Sequence, residues 1–310
     1  MSPQSKIGPA EYEAALALPP GSLDGRTRQL LDEKPLAFTM IDAAGQAQLQ
    51  AETAKRIEEG FTVVGAHRAG IWRDAWADQL ERFEKSNYDV EALNPAFMAA
   101  TPVLRWQGEY ITPASARLEL DFLEVFRDWL FRTELADIDH LYEFGSGSAF
   151  NVAAYAKLYP TRDITALDWA PAAVRIAELL REKLDMRVAG RRFDFFNPDK
   201  DLVLAKNSGV LTMCALEQIG DRHGTFIDYL LASRPKRVVH MEPTPELYDA
   251  NSPHDALALR YHGQRKYLSG LLPALQGLEK QGKLRITRAR RLRIGSRFHE
   301  CFTLIVWEPV

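Results

Sequence analysis

Glu143-Phe144-Gly145-Ser146-Gly147 stands between an apolar run and a helical one. Small residues at such a junction let the chain turn sharply from strand to helix. They also bring the free N–H groups of the helix start close to a ligand. Asp168 closes the next apolar run, Ile164-Thr165-Ala166-Leu167, about 20 residues on, where a doubly wound fold sets an acid against a ribose diol. This junction constrains everything around it, because it demands a parallel sheet that opens at the carboxyl ends of its strands. The rest of the second half agrees. Apolar runs at 140–144, 163–168, 187–194, 208–214 and 237–242 alternate with helical patterns at 149–158, 171–184, 223–233 and 256–281. The alternation ends at 283–294 and 301–307, two strands separated only by Gly295 to Glu300. Strands so close must pair antiparallel, since a parallel crossover needs a dozen or more residues.

The first part of the chain reads differently. Residues 26–59, 71–85 and 116–134 have helical patterns. Ile71, Trp72, Ala75, Trp76, Leu80 and Phe83 form one stripe, and Leu118, Phe122, Val125, Phe126, Trp129 and Leu130 another. Residues 86–113 are rich in turn formers and aromatics and read as a loop or cap. A chain of 310 residues suggests two domains, or one with an appendage. We therefore expect a mainly helical lid region at 1–138 and a Rossmann-like catalytic domain at 139–310. Charge divides at the same place. Residues 1–138 carry 14 Lys+Arg against 22 Asp+Glu, and residues 139–310 carry 25 against 20.

Apolar residues make up 46% and charged residues 26%, which excludes a disordered, collagen-like or disulfide-stapled chain. Cys214 and Cys301 have neither metal-site nor CxxC spacing. The N-terminal apolar run is short and broken by Glu11 and Glu13, unlike a signal peptide. No run approaches about 18 apolar residues, so no membrane span is expected, and a cytoplasmic location fits.

Two nucleoside cofactors could use the glycine loop. A dinucleotide fingerprint places a third glycine where Phe150 stands, and that side chain would crowd the helix against the strand. The pattern Glu143-x-Gly145-x-Gly147, with Asp168, Asp194 after the third strand and a closing antiparallel pair, resembles the class I S-adenosylmethionine-dependent methyltransferases over residues 139–310. Leu211 to Ile219 resembles that family's fourth-strand segment and Val238 to Pro243 its fifth strand. Ser148 stands where the family has a further glycine. The resemblance implies a doubly wound seven-stranded sheet with an antiparallel C-terminal hairpin. It implies S-adenosylmethionine as cofactor and S-adenosylhomocysteine as product. It also implies that Glu143, Gly145, Ser146 and Gly147 hold the methionine moiety, with Cys214 beside it. Asp168 would accept both ribose hydroxyls, Trp169 would lie against adenine, and Asp194 with Phe195 would bind the adenine ring. Core packing remains the rival reading for Trp169 and Phe195, and an ordinary buried thiol for Cys214.

The acceptor should sit above the fourth and fifth strands. Glu217 and Glu242, with His262 as a further catalytic candidate, could hold and deprotonate a cationic acceptor. Glu246 and His240 lie nearby in sequence. Tyr110, Tyr261 and Arg265 are candidate substrate contacts, and Trp106 and Ile111 candidate pocket walls. Met213-Cys214-Ala215 offers no metal ligand at the end of the fourth strand, so no metal is expected. These features favour N-methylation of a small amine or guanidino compound. O-methylation of a sugar or secondary-metabolite hydroxyl is the alternative. Seven basic residues in 283–297 raise nucleic-acid binding as a third reading. Their alternation with Leu284, Ile286, Leu292 and Ile294 fits a strand with one charged face instead. A homodimer through the aromatic-rich helices is a further expectation.

Overall fold

A computed structural model describes residues 4–95, 98 and 102–310. The second half forms the sheet that the alternation predicts. Its first five strands are β5 (His140–Phe144), β6 (Asp163–Asp168), β7 (Val188–Arg192), β8 (Ser208–Met213) and β9 (Arg237–Glu242). All five are parallel, with β5 flanked by β6 and β8. The helices α6 (Phe150–Leu158), α7 (Pro171–Leu184) and α8 (Gly224–Ser233) provide the crossovers. The central strands are buried on both faces, as their continuous apolar sequences require. β10 (Leu284–Arg291) and β12 (Thr303–Pro309) close the sheet, and β12 runs antiparallel to both β10 and β9. The strand order is β10-β12-β9-β8-β5-β6-β7. It reverses direction of growth at β5, which places the crevice at the end of that strand.

Two boundaries differ from the sequence reading. The helical stretch 256–281 is two helices, α9 (Pro253–Arg265) and α10 (Leu271–Lys280). Lys266 takes a left-handed conformation at the end of α9 and breaks the pattern. The closing strands are not a tight hairpin either. Residues 292–302 leave the sheet between them, and β11 (Ile294–Ser296) pairs elsewhere.

The first half contains the expected helices. They are α2 (Gly25–Glu33), α3 (Ala43–Glu58), α4 (Ala69–Lys85) and α5 (Leu118–Glu134), preceded by a further helix, α1 (Pro9–Leu16). Asp24 and Asp42 cap α2 and α3 by accepting from backbone N–H groups of the first turn. The region is not only helical. β1 (Gln4–Lys6), β2 (Ala37–Met40), β3 (Leu104–Trp106) and β4 (Glu109–Pro113) form an antiparallel sheet, ordered β1-β2-β4-β3-β11. These strands are three to five residues long, too short for a clear alternation. β3 and β4 lie within the expected loop 86–113, whose residues 96, 97 and 99–101 are outside those described. The fifth strand, β11, comes from the second half, so the expected division at residue 138 is crossed by a sheet.

Charge explains part of this docking. Arg260 pairs with Glu58, Arg288 with Glu134, Arg297 with Glu52, and Lys236 and Arg237 with Asp137. Basic residues of the second half thus meet acids of the first. Arg285 pairs with Glu308 on the neighbouring strand. Much of the basic run at 283–297 is therefore engaged within the chain. The most buried contact is a four-charge cluster. Arg105 on β3 reaches Asp255 on α9 at 2.9 Å and Glu300 at 3.7 Å. Arg291 on β10 bonds Asp255 through both terminal nitrogens, at 2.7 and 2.6 Å, and Glu300 through Nε. Two arginines and two carboxylates make the cluster neutral overall.

Removing one member of such a cluster leaves a charge in the interior without a counter-ion. Arg105→Met should cost about 3–5 kcal/mol of stability in urea denaturation. Adding Glu300→Gln to that variant should recover part of the loss. A loss below about 1 kcal/mol would mean that the cluster does not hold the two halves together.

Candidate active site

Two cavities meet at the carboxyl end of β5. The first, of about 250 Å³, is lined by Gly145, Asp168, Trp169, Asp194, Phe195 and Ala215, with Trp72 and Trp76 of α4 above them. The second, of about 300 Å³, continues past Gly145 and Gly147 to Glu143, Ser146, Glu119, Glu217, Tyr267 and the segment Ser296 to Phe302. Gly145, Cys214, Trp72 and Trp76 line both.

The loop has little room for side chains. Gly145 has φ +75°, and a Cβ there would lie 2.4 Å from the Ala215 Cβ. Gly147 has φ +50°, and a Cβ would lie 2.6 Å from the Trp76 ring. Both positions thus need glycine for backbone conformation and for close approach. The loop is tied to β6. Gly145 and Ser146 donate N–H to the Leu167 carbonyl, at 2.7 and 3.0 Å.

Asp168 is buried at the end of β6. Its Oδ2 accepts from Gly147 N and its Oδ1 from Ala170 N, each at 2.9 Å. Each oxygen keeps a lone pair for a further donor. Burial raises this carboxyl to about 6 against the pull of those N–H groups. Ala170, not Asp168, is the N-cap of α7, so the acid is free of a helix-capping role. Glu143 is more deeply buried. Its Oε1 accepts from Asn151 Nδ2 at 2.8 Å, while Oε2 has no partner among the described residues. Burial raises it to about 8, opposed by Asn151 and the Arg127 guanidinium. Arg127 in turn donates to Asn151 Oδ1 at 3.3 Å. Asp194 lines the first cavity, but its oxygens already accept from Phe196 N at 2.9 Å and Asn197 Nδ2 at 3.3 Å. Phe195 lies edge-on to Phe226, so it serves the core as well as the cavity wall.

The acceptor-side candidates separate. Glu217 lines the second cavity; its Oε1 accepts from Gln218 Nε2 at 2.7 Å, and burial raises it to about 7. Glu242 lines neither cavity. It is fully buried behind Ala215, whose N–H bonds Oε1 at 3.1 Å, and burial with nearby Glu217 raises it to about 8. His262 also stands behind the wall, with Nε2 3.0 Å from His299 Nδ1, and His299 is the ring that faces the cavity. Burial holds His262 down at about 3 and keeps His299 neutral. Tyr261 is packed against Phe298 and Phe61, and Arg265 donates to the Tyr267 hydroxyl at 3.0 Å. Only Tyr267 of these three lines the cavity. Tyr110 is buried in the N-terminal sheet beside Thr53 and His254, away from both cavities, and Trp106 and Ile111 are core. His240 bridges Thr212 and Trp307 inside the sheet. Cys214 lines both cavities, and burial raises its thiol well above the usual range. No group of three or more His, Cys, Asp or Glu residues suited to a metal occurs among the described residues.

Several lining residues escaped the sequence reading. Trp72 and Trp76 belonged to the expected stripe of α4, where they were grouped with Phe83. Only Phe83 is core; the two indoles stack 5.6 Å apart over the glycine loop. Gln218 holds them there by accepting from Trp72 Nε1 at 3.1 Å and Arg68 Nη1 at 2.9 Å. Tyr267, His299, Cys301 and Phe302 carried no signal, since they reach the cavity only through long-range packing.

The seven-stranded sheet with its antiparallel closing strands and the glycine turn after β5 are the features that the resemblance to class I S-adenosylmethionine-dependent methyltransferases implied. No family model and no curated protein matches the chain. Among solved structures it is similar to an O-methyltransferase from neocarzinostatin biosynthesis, in complex with S-adenosylmethionine and 2-hydroxy-5-methyl naphthoic acid. Identity is 16%, over 62% of this chain and 58% of that one, with a TM-score of 0.41. It is similar to N,N-8-amino-8-demethyl-D-riboflavin dimethyltransferase from Streptomyces davawensis, at 15% identity over 63% and 58%, TM-score 0.40. A S-adenosylmethionine-dependent methyltransferase from Aquifex aeolicus matches at 14% over 59% and 89%, TM-score 0.41. The chain thus spans less than two thirds of the length of the first two.

Carboxyls held neutral by burial make stability depend on pH in the direction opposite to ordinary ion-paired acids. Glu143 and Glu242 ionise at about 8 when folded and near the usual carboxyl range when unfolded. The unfolded chain loses those protons first, so stability should fall as pH rises from about 5 to about 8 and level off above that. Glu242→Gln should flatten that fall in thermal melts. An unchanged slope would mean that Glu242 is ionised in the folded protein.

Proposed function

We propose that this chain is an S-adenosylmethionine-dependent methyltransferase for a small polar molecule, with an amine or guanidino nitrogen as the favoured acceptor. The observation that carries the reading is the pair of buried, half-satisfied acids on either side of the glycine loop. The unpartnered Glu143 Oε2 suits the cofactor's ammonium group, and the remaining lone pairs of Asp168 suit two ribose hydroxyls. Gly145 and Gly147 leave the cradle open where a Cβ would fill it. Trp169, Phe195 and Asp194 then form the adenine end, and Ser146 and Cys214 the methionine end.

The cofactor supplies, when bound, a methyl group activated on a sulfonium. The chain's own tasks are to orient the acceptor and exclude water, and alignment alone is worth roughly 7–11 kcal/mol. Trp72 and Trp76 cover the junction of the cavities. Glu217 faces the acceptor side with a carboxyl raised to about 7, a value suited to taking a proton from a bound ammonium near neutral pH. The neutral His299 ring already engages His262 and Cys301, which makes it a wall and not a free base. The favoured catalytic pair of the sequence reading, Glu217 with Glu242, reduces to Glu217 at the cavity surface.

The paired arginines at 283–297 weaken the nucleic-acid reading. The exposed large apolar residues among those described are Ile71 on α4, Val203 in the loop before β8 and Val310 after β12, and they offer little support for a dimer surface.

Calorimetry with S-adenosylhomocysteine tests the cofactor assignment. Asp168→Ala should weaken binding by at least about tenfold, the loss expected from removing charge-assisted hydrogen bonds. Equal affinity would refute the ribose role. Incubation with labelled S-adenosylmethionine and a panel of amines, guanidines, phenols and sugars tests the acceptor. Label on hydroxyl compounds alone would replace N-methylation with O-methylation.

A further inference from the structure

Glu119 is the one carboxylate in the second cavity that the reading above leaves unused. It lies in the first turn of α5, where acids normally face solvent, yet it is only 6% exposed. Its side chain lines the cavity that Glu217 also lines. The carboxylate has no hydrogen bond or ion pair to any described residue, and burial alone raises it to about 7. An ordinary structural acid in such a place would be satisfied by neighbours, because an unpaired buried carboxylate is costly.

The charges around it sharpen the contrast. Glu217 feels the guanidinium groups of Arg265 and Arg68. Glu143 is compensated by Arg127 and would receive the cofactor's ammonium. Arg68 also lines the cavity, its Nη1 donating to Gln218, while His299, Tyr267, Cys214 and Cys301 are uncharged at neutral pH. Glu119 and Glu217 line the same cavity as the two thiols, which burial chiefly, and these carboxylates in addition, push up. Glu119 is thus a carboxyl with no ion pair among the described residues, in the same chamber as Glu217, whose other walls include Arg68, Trp72, Trp76 and Phe302. Aromatic faces also attract organic cations.

We propose that Glu119 is a second anionic anchor of the acceptor cavity, and that with Glu217 it selects an acceptor carrying two cationic nitrogens, of the short-diamine class. One nitrogen sits against Glu119 and the other is presented from Glu217. This assignment rests on the methyltransferase reading for its purpose. It does not need that reading for its test.

The test is calorimetry on the full chain with 1,4-diaminobutane and butylamine, with and without saturating S-adenosylhomocysteine. The diamine should bind at least about tenfold more tightly than the monoamine, as one added charge-assisted contact would give. Glu119→Gln should bring the diamine to the monoamine's affinity and leave S-adenosylhomocysteine binding unchanged. That unchanged binding also reports that the variant is folded. Diamine binding at pH 7 should release protons, read from its dependence on buffer ionisation enthalpy, and the variant should release fewer. Equal affinity of the two amines for the unmodified protein, absence of binding by either, or a preference that survives Glu119→Gln would overturn the proposal. Failure of S-adenosylhomocysteine to bind would overturn the cofactor reading instead, and the amine comparison without it would still decide the role of Glu119.

Discussion

The buried cluster of Arg105, Asp255, Arg291 and Glu300 is the constraint on which the site depends. Its four charges come from β3, α9, β10 and the segment before β12. None could be buried alone, because desolvating a single charge costs several kcal/mol. Together they force the N-terminal sheet, α9 and residues 292–302 to one place. Tyr248 adds to this by accepting the Glu300 N–H and donating to its carbonyl. The segment so fixed carries Ser296, His299, Cys301 and Phe302 into the second cavity. An electrostatic joint in the scaffold thereby shapes a wall of the chemical site.

The cofactor side is built on another principle. Its parts are local: a strand end, a glycine turn and the next strand end, joined by backbone hydrogen bonds between Gly145, Ser146 and Leu167. Glu143 and Asp168 are buried without being fully satisfied. Such groups are expensive in an empty protein and become favourable when a ligand supplies the missing donors. Burial is the largest cause for each of the raised carboxyls Glu119, Glu143, Asp168, Glu217 and Glu242, and they differ in their partners. Asp168 accepts from the N–H groups of Gly147 and Ala170, while Glu143 and Glu242 each keep an orphaned oxygen.

Legibility followed the range of the interactions. The parallel strands and their helices were readable because each element carries its own periodicity. The glycine loop and Asp168 were readable because about 20 residues hold the whole motif. The N-terminal sheet was missed because its strands are too short to alternate, and β11 because its partner β3 lies far off in sequence. Charge patterning was legible in amount but not in use. The acidic first half and basic second half appeared as a boundary, and in the fold they are two complementary faces, as Arg288 with Glu134 illustrates.

For the second cavity, residue type alone was a poor guide. Glu242, His262, Tyr261, Arg265 and Tyr110 had suitable chemistry, yet each stands behind the wall or away from it. Glu119, Tyr267, His299 and the two indoles of α4 reach the cavity from elements that the sequence could not place. By itself the sequence determined the sheet, the glycine turn and the acids at the strand ends, since these follow from local patterns and short spacings. Only the tertiary structure decided which carboxylates line the second cavity. That choice depends on how α4, α5 and residues 292–302 pack over β5, and such packing is set by buried contacts between residues far apart in the chain.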